Sequence, residues 1–270
     1  MFLEYIVSDV SIRVEELTVT SEFLNRDVEC TLYVPDMDGV VEPLHLLLVN
    51  DGQDLATMQY DQILQPLYKK KQITPILTVG IKAGERTKEF GISGVSDYKG
   101  RGAEAENYRQ FVVQELLPAI YEKTSLQEFA STAIIGFSLG AVSAFDIAWR
   151  HADVFSKVGA FSGAFWWRKK EAKKEFPDKH RITHKLVSST PEKPNLKFWF
   201  EAGTQDEKSD RNQNGIIDSI DDTTSLMLEL YKKGYQKSED VKYVELIGGR
   251  HDVSTWGRMM PDFLLWAFGR

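Results

Sequence analysis

Ser138 lies in the pattern Gly136-Phe137-Ser138-Leu139-Gly140, a G-x-S-x-G motif whose surroundings indicate what the serine can do. The β-branched run TAII leads into the first glycine, and a helical pattern begins directly after the serine. A tight strand-to-helix turn of this kind needs small flanking residues, and it exposes the hydroxyl of a strained serine. The N-terminus of the helix offers N–H groups and a positive dipole end to a developing oxyanion. The motif predicts a nucleophilic serine, with a plain structural turn as the alternative.

A serine nucleophile needs a general base, and the five histidines differ in their surroundings. His251 follows the strand pattern VKYVELIGGR and precedes the last helical pattern, so it falls in a loop at a strand end. His45 lies inside a predicted buried strand, and His151 lies late in a helix, where the helix dipole favours a cation. His180 and His184 belong to the Lys-rich segment EAKKEFPDKHRITHK, which is typical of a solvated face. We expect His251 to be the base.

The acid of a Ser–His–acid triad is expected between the other two members in chain order. The strand pattern LKFWFEAG ends at Gly203, and the first carboxylates after it are Asp206 and Glu207. We predict that Asp206 orients the imidazole of His251. Glu207 is the alternative, and a plain surface loop is the third interpretation.

Stabilising an oxyanion requires two N–H donors. One is expected to be the backbone of Leu139, directly after the serine. The other is expected in the loop 50–54, after the strand pattern LHLLLVN, where Gly52 lets the backbone approach a reacting carbonyl. We predict that the backbone N–H of Gln53 is this donor, although an ordinary strand-to-helix turn accounts for the same residues.

Candidate substrate contacts follow two other predicted strands. Trp166 and Trp167 come shortly after KVGAFSG and could stack an aromatic or sugar group, but core packing explains them without a ligand. The Gly-rich segment 85–102 predicts a loop over the site. Arg86, Tyr98 and Arg101 in this segment could orient a polar or anionic substrate, whereas a solvated loop is the simpler interpretation.

The acidic segment from Asp210 onward fits a calcium loop of the D-x-[DN]-x-[DN]-G type, with Gly215 at the sharp turn. Its twelfth position carries Asp instead of Glu, and Asp222 could replace Asp221 there. The alternative is a helix N-terminus with a solvated acidic face. We predict a structural Ca²⁺ that braces the neighbouring loop of Asp206. The expected ligands are Asp210, Asn212, Asn214, Ile216 through its carbonyl, Asp218 and Asp221.

These residues need a scaffold, and the rest of the sequence predicts an α/β fold. The patterns SIRVEELTVTS and DVECTLYVP predict an antiparallel hairpin. Short continuous apolar runs at 44–50, 73–81, 132–137, 157–163, 196–203 and 241–249 predict buried parallel strands. Helical patterns at 60–71, 106–123, 139–155, 223–235 and 256–268 alternate with them. We expect one domain over residues 1–270, with a mostly parallel sheet between helices on both faces.

Composition and charge indicate which classes of partner the protein can bind. The chain has 270 residues, 42% of them hydrophobic, and a net charge of −7, which argues against nucleic acid and anionic membranes as partners. Its one cysteine, Cys30, excludes an internal disulfide. No signal peptide or membrane-spanning pattern is visible, so we expect a cytoplasmic protein. We also expect a small-molecule substrate and no organic cofactor; the sequence leaves the oligomeric state open.

The motifs NDGQDL, GFSLG, G-T-x-D at 203–206 and GGRHDVSTWGRMMPDFL together resemble the putative-esterase family of α/β-hydrolases. That family includes enterochelin, feruloyl and acetylxylan esterases, S-formylglutathione hydrolases and mycolyltransferases. The resemblance implies an α/β-hydrolase fold and a triad of Ser138, Asp206 and His251. It also implies hydrolysis of carboxylic esters through an acyl-enzyme, with siderophore or carbohydrate-linked esters as the substrate class. An acyltransferase, a catalytically silent binding protein and a calcium-sensing interaction protein are the alternatives.

Overall fold

The computed structural model describes residues 11–36, 43–171 and 178–270. Within these residues eight strands form a single sheet in the order β1-β2-β4-β3-β5-β6-β7-β8. The strands are β1 (Ile12–Ser21), β2 (Arg26–Pro35), β3 (His45–Asn50), β4 (Ile76–Ile81), β5 (Thr132–Phe137), β6 (Lys157–Phe161), β7 (Lys197–Gln205) and β8 (Val241–Arg250). The hairpin β1–β2 pairs antiparallel to β4, and all later pairs are parallel. The predicted sheet is confirmed.

Helices connect the parallel strands. They are α1 (Asp54–Thr57), α2 (Tyr60–Lys69), α3 (Arg86–Glu89), α4 (Ala105–Gln110), α5 (Leu117–Thr124), α6 (Leu139–Arg150), α7 (Ile182–Ser189), α8 (Asp218–Lys232) and α9 (Val253–Phe268), and a π-helical segment, Phe111–Leu116, joins α4 to α5. In the described part of the chain, no helix is long and apolar enough to cross a membrane.

The core has two layers because the central strands are buried on both faces. Every residue of β4 and β5 is buried, as expected of strands that helices cover on both sides. One apolar cluster joins the sheet to α5, α6, α7 and α8. The other joins the opposite face to α2 and α9. This arrangement confirms the prediction of helices on both faces.

Helices α7 and α8 differ clearly from the sequence patterns. Helix α8 begins at Asp218, five residues before the predicted start at 223, so Asp218 and Asp221 lie in its first turn. Helix α7 was not predicted, because the lysines nearby suggested a solvated face. His184 lies on α7 and is buried, so the solvated interpretation is wrong for it; His180 is exposed. Residues 172–177 of that Lys-rich segment lie outside the described residues.

Candidate active site

The carboxyl ends of β5 to β8 place four side chains along one edge of the sheet. Ser138 follows β5, Ser162 follows β6, Asp206 follows β7 and His251 follows β8. The register aligns these ends, with Phe137 beside Phe161, and Gln205 beside Arg250. In parallel sheets this edge is where ligands bind. We call the set Ser138, Ser162, Asp206 and His251 the strand-end group.

The turn at Ser138 is strained. Its φ of 54° and ψ of −114° are unusual for a residue with a side chain. The turn is held on both sides, since Ser138 N–H donates to the carbonyl of Phe161 at 3.0 Å and Ala164 N–H donates to the carbonyl of Ser138 at 3.0 Å. A Cβ on Gly136 would lie 2.2 Å from the backbone carbon of Gly140, so the motif needs a glycine there.

The helix below the serine is fixed to the end of β3. Asn50 is buried, and its Nδ2 donates to the carbonyl of Gly140 at 2.8 Å while its Oδ1 accepts from Tyr108 Oη at 2.7 Å. A Cβ on Gly140 would lie 2.9 Å from Asp51 Oδ2. Gly140, two residues after the serine, therefore allows the loop after β3 to pass close to the first turn of α6.

Two backbone N–H groups, which follow the neighbouring strands β3 and β5, are available to a ligand. Among the described residues, the N–H groups of Gln53 and Leu139 donate to no acceptor. For Leu139 this follows from its place at the start of α6, because the first N–H groups of a helix have no partner within it. Gln53 is held by its side chain, whose Oε1 accepts from Ala83 N–H at 3.2 Å. Gly52 sits so near β4 that a Cβ would lie 2.1 Å from the backbone carbon of Gly80.

An ion pair braces the loop that carries Gln53. Asp51 is buried with a positive φ of 59°, and both its oxygens accept from Arg86, at 2.6 Å from Nε and 2.7 Å from Nη2. A bidentate pair of this type fixes geometry as well as charge. Arg86 thus lies at the site, but its guanidinium is bound to Asp51. Its positive charge also helps to lower the pKa of His251.

An irregularity in the sheet brings Asp206 close enough to His251 for their charges to interact. The register of β7 and β8 shifts between Gly203 and Gln205, and Asp206 N–H donates to the carbonyl of Gly203 at 3.2 Å. A Cβ on Gly203 would lie 2.7 Å from Asp206 Oδ1 and 2.5 Å from the carbonyl of Gly249. Only glycine at 203 therefore lets the carboxylate fold back over the strand.

The two groups influence each other's charge. Burial lowers the pKa of His251, the charge of Asp206 opposes that shift, and Arg86 adds to it. Burial raises the pKa of Asp206, against the lowering by the Ser162 hydroxyl and by His251. Among the described residues, no hydrogen bond joins His251 to Ser138 or to Asp206, and neither oxygen of Asp206 has a hydrogen-bonded partner. Without a substrate, hydrogen bonds of this type are often long.

Glu207 lies in a different environment from Asp206. Its pKa is raised by burial and by the nearby Asp218, and its hydrogen-bonding neighbours are Ser219 and Ser209. The environment of Asp206 includes His251, whereas that of Glu207 is the acidic loop. Of the two carboxylates considered from the sequence, the structure brings Asp206 to the histidine.

Two residues of this site did not emerge from the sequence patterns. Trp256 on α9 contacts His251 edge to face, with ring centroids 5.4 Å apart, and stacks on Phe137 at 5.0 Å. Its Nε1 donates to Ser162 Oγ at 3.0 Å. Trp256 was visible only as part of the ending HDVSTW, and Ser162 only as part of a strand. Their roles depend on contacts between strands that are distant in the chain.

The candidate substrate residues are placed differently from one another. Trp167 is fully buried and fills the space beside Gly91 and Gly102, so packing accounts for it. Trp166 is half-buried under the guanidinium of Arg101, 4.8 Å from its ring centre. Arg101 also donates from Nε to Asp97 at 2.7 Å. Tyr98 is exposed, with the Lys99 amine 5.5 Å from its ring centre.

The other two histidines considered earlier lie apart from the strand-end group. His45 begins β3, and its Nδ1 hydrogen-bonds to Ser131 Oγ at 2.7 Å. His151 ends α6 beside Arg109, and its pKa is lowered by burial and by that arginine. Its environment therefore opposes the cation that the helix dipole suggested.

The segment predicted to bind calcium folds into consecutive side-chain turns. Asp210 Oδ1 and Oδ2 accept from the N–H groups of Asn214 and Gly215 at 3.1 and 2.9 Å. Asn214 Oδ1 accepts from Ile216 N–H at 2.8 Å, and Asn212 Nδ2 donates to Asp221 Oδ2 at 2.8 Å. The side chains at positions 1, 3, 5 and 12 are thus directed within one loop.

The remaining acids at this loop have other partners. Asp222 is fully buried, with Oδ1 2.7 Å from Arg181 Nη1 and Oδ2 2.7 Å from Arg211 Nη1. Arg211 Nε also donates to Asp178 at 3.0 Å. We call Asp178, Arg181, Arg211 and Asp222 the arginine cluster. The carboxylate of Asp222 is bound by Arg181 and Arg211. Asp221 is therefore the residue that could supply the ligand at the twelfth position of a calcium loop.

The oxygen atoms available as ligands limit which cation this loop could bind. The described residues contain no cluster of three or more His, Cys, Asp or Glu side chains gathered for a metal. Besides the carboxylates of Asp210 and Asp221, a cation would therefore need the amide oxygens of Asn212 and Asn214 and the carbonyl of Ile216. Neutral oxygen ligands of this type suit Ca²⁺ better than a transition metal. Asp218 is buried and accepts from Arg211 N–H at 3.0 Å, which argues against a solvated acidic face.

The strand order, the strained serine after β5 and the helices on both faces define an α/β-hydrolase. A sequence model of the family described as putative esterase matches residues 21–267. The chain therefore belongs to the putative-esterase family, and this membership supports ester hydrolysis as its reaction class.

Individual relatives are distant. The chain is 22% identical over 222 residues to the Bacillus subtilis protein YjcH, covering 82% of this chain and 85% of that protein. It is 24% identical over 147 residues to B. subtilis YbbA, a match that covers 51% of this chain and 57% of YbbA.

Solved structures share the fold. A ferulic acid esterase aligns with a TM-score of 0.69 at 18% identity, over 95% of this chain and 98% of that one. The Shigella flexneri enterobactin esterase aligns with a TM-score of 0.70 at 20% identity, over 95% of this chain and 60% of that one. The siderophore hydrolase EstB from Aspergillus nidulans gives 0.68 at 17% identity, over 95% and 97%.

Proposed function

We propose that the protein is a serine esterase that hydrolyses carboxylic esters through an acyl-enzyme on Ser138. The observation that carries this proposal is the strained turn at Ser138, at the same sheet edge as Asp206 and His251. Strain of this type persists only where the surrounding structure maintains it, and it is common at active sites. Membership of the esterase family supports the same reaction class.

In the proposed mechanism His251 accepts the proton of Ser138 Oγ as the oxygen attacks the ester carbonyl. The alcohol leaves with a proton from the imidazolium, and water then repeats the sequence on the acyl-enzyme to release the acid. Asp206 holds the imidazole tautomer and stabilises the positive ring. Burial keeps the pKa of His251 low, which favours the neutral form that can accept a proton.

The free N–H groups of Gln53 and Leu139 are the proposed oxyanion donors. Each such donor contributes about 3–4 kcal/mol to a lower barrier. Arg86 supports this role indirectly, because its pair with Asp51 fixes the loop on which Gln53 lies. An arginine bound in this way holds the oxyanion loop and leaves substrate orientation to other groups.

For the substrate we propose an ester with an aromatic or sugar component. The half-buried ring of Trp166 lies two residues after Ala164, whose N–H donates to the carbonyl of Ser138, and it offers a stacking surface together with Arg101 and exposed Tyr98. The ferulic acid and enterobactin esterases that share the fold are consistent with this class. Feruloyl and catecholate esters compared with p-nitrophenyl acyl esters of rising chain length would rank the candidates.

The first experiment is to label the protein with a fluorophosphonate probe and to assay it on those esters. We expect one labelled serine, and Ser138→Ala should lose the label and at least about 10⁴-fold in kcat. The matched control is Ser188→Ala, an exposed helical serine that should change neither. Absence of label on Ser138, or activity of Ser138→Ala equal to wild type, would exclude this function and favour a non-catalytic binding protein.

We also propose that the loop from Asp210 to Asp221 binds a structural Ca²⁺. Support comes from its side chains, four of which point into one loop through hydrogen bonds to backbone N–H groups or to each other. A cation bound there would offset the charges of Asp210 and Asp221. The loop begins four residues after Asp206, so a cation that orders the loop would also restrict the position of the Asp206 carboxylate.

A further inference from the structure

The two proposed oxyanion donors lie on separate segments of the chain. Gln53 is in the loop after β3, and Leu139 begins α6 after β5. The two strands are neighbours, but their parallel ladder ends at Val49 opposite Ile135, before either donor. An oxyanion accepts from both N–H groups at once, each within about 3 Å, so the two segments must keep a constant spacing beyond the end of the ladder.

Asn50 links these two segments directly. It is the last residue of β3 and fully buried, and its Nδ2 donates to the carbonyl of Gly140, the residue after Leu139, at 2.8 Å. The backbones are also close here, because a Cβ on Gly140 would lie 3.1 Å from the Cβ of Asn50. Gln53 follows Asn50 by three residues. The hydrogen bond therefore joins the two segments within three residues of each donor.

Tyr108 binds the other end of the Asn50 amide. Its hydroxyl donates to Asn50 Oδ1 at 2.7 Å. A carbonyl can only accept, so the amide nitrogen of Asn50 must face Gly140 while the amide oxygen faces Tyr108. Burial raises the pKa of Tyr108 well above its usual value, and the charges of Asp51 and Glu89 add to this shift. The hydroxyl therefore keeps its proton, and the orientation of the amide does not change with pH.

The position of Tyr108 is determined by packing. Its ring is fully buried and contacts Phe90 edge to face, with ring centroids 5.1 Å apart, and Phe111 at 6.1 Å. Phe90 also borders the first turn of α6, since its Cε2 would lie 3.6 Å from a Cβ on Gly140. Side chains in a closely packed core keep their rotamers, so the hydroxyl of Tyr108 has a constant position relative to Asn50.

We propose that Asn50 and Tyr108 are positioning residues that set the spacing of the two oxyanion donors. Asn50 joins the loop of Gln53 to the first turn of α6, and Tyr108 keeps the amide in the orientation that this bond requires. Both act through the backbone and need no contact with the substrate. This inference rests on the proposed function, because the spacing matters only if Gln53 and Leu139 stabilise an oxyanion formed by attack of Ser138.

The test removes each side of this connection in turn. Tyr108→Phe deletes only the hydroxyl, and Asn50→Ala deletes the amide. We expect kcat to fall by about 3- to 10-fold in Tyr108→Phe and by about 10- to 100-fold in Asn50→Ala, with KM little changed, because misplaced donors weaken binding of the transition state alone. The shape of the pH–rate profile should remain that of the wild type, since His251 and Asp206 are unchanged.

A transition-state analogue distinguishes positioning from a general loss of structure. A trifluoromethyl ketone analogue of the best ester forms a tetrahedral adduct with a catalytic serine, and the oxyanion of this adduct accepts from the same two N–H groups. Its inhibition constant should rise in each variant by the factor by which kcat/KM falls. Partial unfolding would instead lower the concentration of active enzyme and leave the inhibition constant unchanged.

Tyr68→Phe is the matched control. It removes another buried tyrosine hydroxyl, which accepts from Ile76 N–H at 3.1 Å at the amino end of β4, the opposite edge of the sheet from the strand-end group. This variant should lose stability to an extent similar to that of Tyr108→Phe, but it should keep the kcat and the inhibition constant of the wild type.

The outcomes separate this inference from the proposed function. If the probe labels Ser138 and Tyr108→Phe retains the kcat and the inhibition constant of the wild type, the positioning role is wrong while the esterase mechanism stands. The same holds if Asn50→Ala loses kcat with an unchanged inhibition constant. If Asn50→Ala does not fold, Tyr108→Phe decides alone. If Ser138 is neither labelled nor needed for activity, the proposed function itself is wrong.

Discussion

The strand-end group and the arginine cluster differ in the partners of their buried carboxyl groups. In the arginine cluster, Asp222 is fully buried and bound by Arg181 and Arg211. In the strand-end group, Asp206 and the neighbouring Glu201 are left with buried oxygens that have no hydrogen-bonded partner among the described residues. Native proteins satisfy most buried polar groups, so two carboxyl groups with unpartnered oxygens at the ligand-binding edge of the sheet are consistent with a functional site there.

The pKa values show the same difference. Burial raises the pKa of Asp206 and Glu201, since neither has a cation beside it strong enough to offset the loss of solvent. For Arg211, burial lowers the pKa but the hydrogen bonds and charges of Asp222 and Asp178 outweigh it, so the pKa is raised. Paired charges maintain a fold, whereas buried groups with shifted pKa values and no paired charge are typical of functional sites.

The largest expected effect tests which acid belongs to the strand-end group. Asp206→Asn should lower kcat by roughly 10⁴-fold, because an amide cannot stabilise the imidazolium of His251. Its matched control is Glu207→Gln, next in sequence but facing Asp218, which should change kcat by less than about threefold. Steady-state assays on the best ester measure both. A larger loss in Glu207→Gln than in Asp206→Asn would reverse the assignment of the acid.

The arginine cluster should matter for stability instead of chemistry. Asp222→Asn removes the fully buried carboxylate that Arg181 and Arg211 share, and it should lower the free energy of unfolding by about 3–5 kcal/mol. Asp240→Asn breaks the exposed pair with Lys193 and should cost less than about 1 kcal/mol. Denaturant titration measures both. The distinction between the two regions fails if folded Asp222→Asn loses catalysis to the extent that Asp206→Asn does.

Calcium removal should give an intermediate effect. At a free Ca²⁺ concentration about 100 times the Kd, binding contributes about 2.7 kcal/mol, which corresponds to roughly 5–10 °C in Tm. A chelator should therefore lower the Tm of the wild type, whereas Asp210→Asn should have the lower Tm already and respond less. Mg²⁺ should restore less stability than Ca²⁺. A wild-type Tm and activity that do not respond to chelation would contradict the calcium proposal.

A last effect, whose size depends on pH, concerns the stability cost of Glu201. Its pKa rises from the usual 4.5 to about 8 in the folded protein. Between these two pH values the folded state retains a proton that the unfolded state has lost, so the free energy of unfolding falls as pH rises. Glu201→Gln does not titrate. Its stability relative to the wild type should increase from pH 4.5 to 8 by at most a few kcal/mol and then level off.

Denaturation curves of both proteins at pH 5, 7 and 9 measure this difference. A constant gap between the two proteins across the three pH values would mean that the carboxyl is ionised in the folded state as usual.

Much of the fold followed from local patterns. Continuous apolar runs predicted the parallel strands, because a strand covered on both faces has no polar side, and alternation predicted the β1–β2 hairpin. The prediction of a solvated segment was wrong at α7. The nearby lysines suggested exposure, but one face of this helix is buried and contains His184. Surface charge on one side of a helix does not reveal what the other side packs against. The single domain stays a prediction.

For the candidate site, chain order and strand ends indicated Ser138, Asp206 and His251, because side chains that follow parallel strands must meet at one edge. The sequence could not show that Arg86 is bound by Asp51 or that Trp167 is core. Both depend on contacts across more than thirty positions of chain. Their assignment as substrate contacts stays a prediction, and the structure favours bracing for Arg86 and packing for Trp167.

The sequence by itself determined the α/β class, the strained turn at Ser138 and the loop pattern after Asp210. Each of these is set by residues adjacent along the chain: small residues around a serine, or acids and a glycine at fixed spacing. Only the tertiary structure decided that Asp206 lies beside His251, that Asp222 belongs to arginines and that Ser162 stands between Trp256 and Glu201. These are relations between strand ends and helices far apart in sequence. The buried environment that shifts their pKa values exists only once the sheet has brought them together.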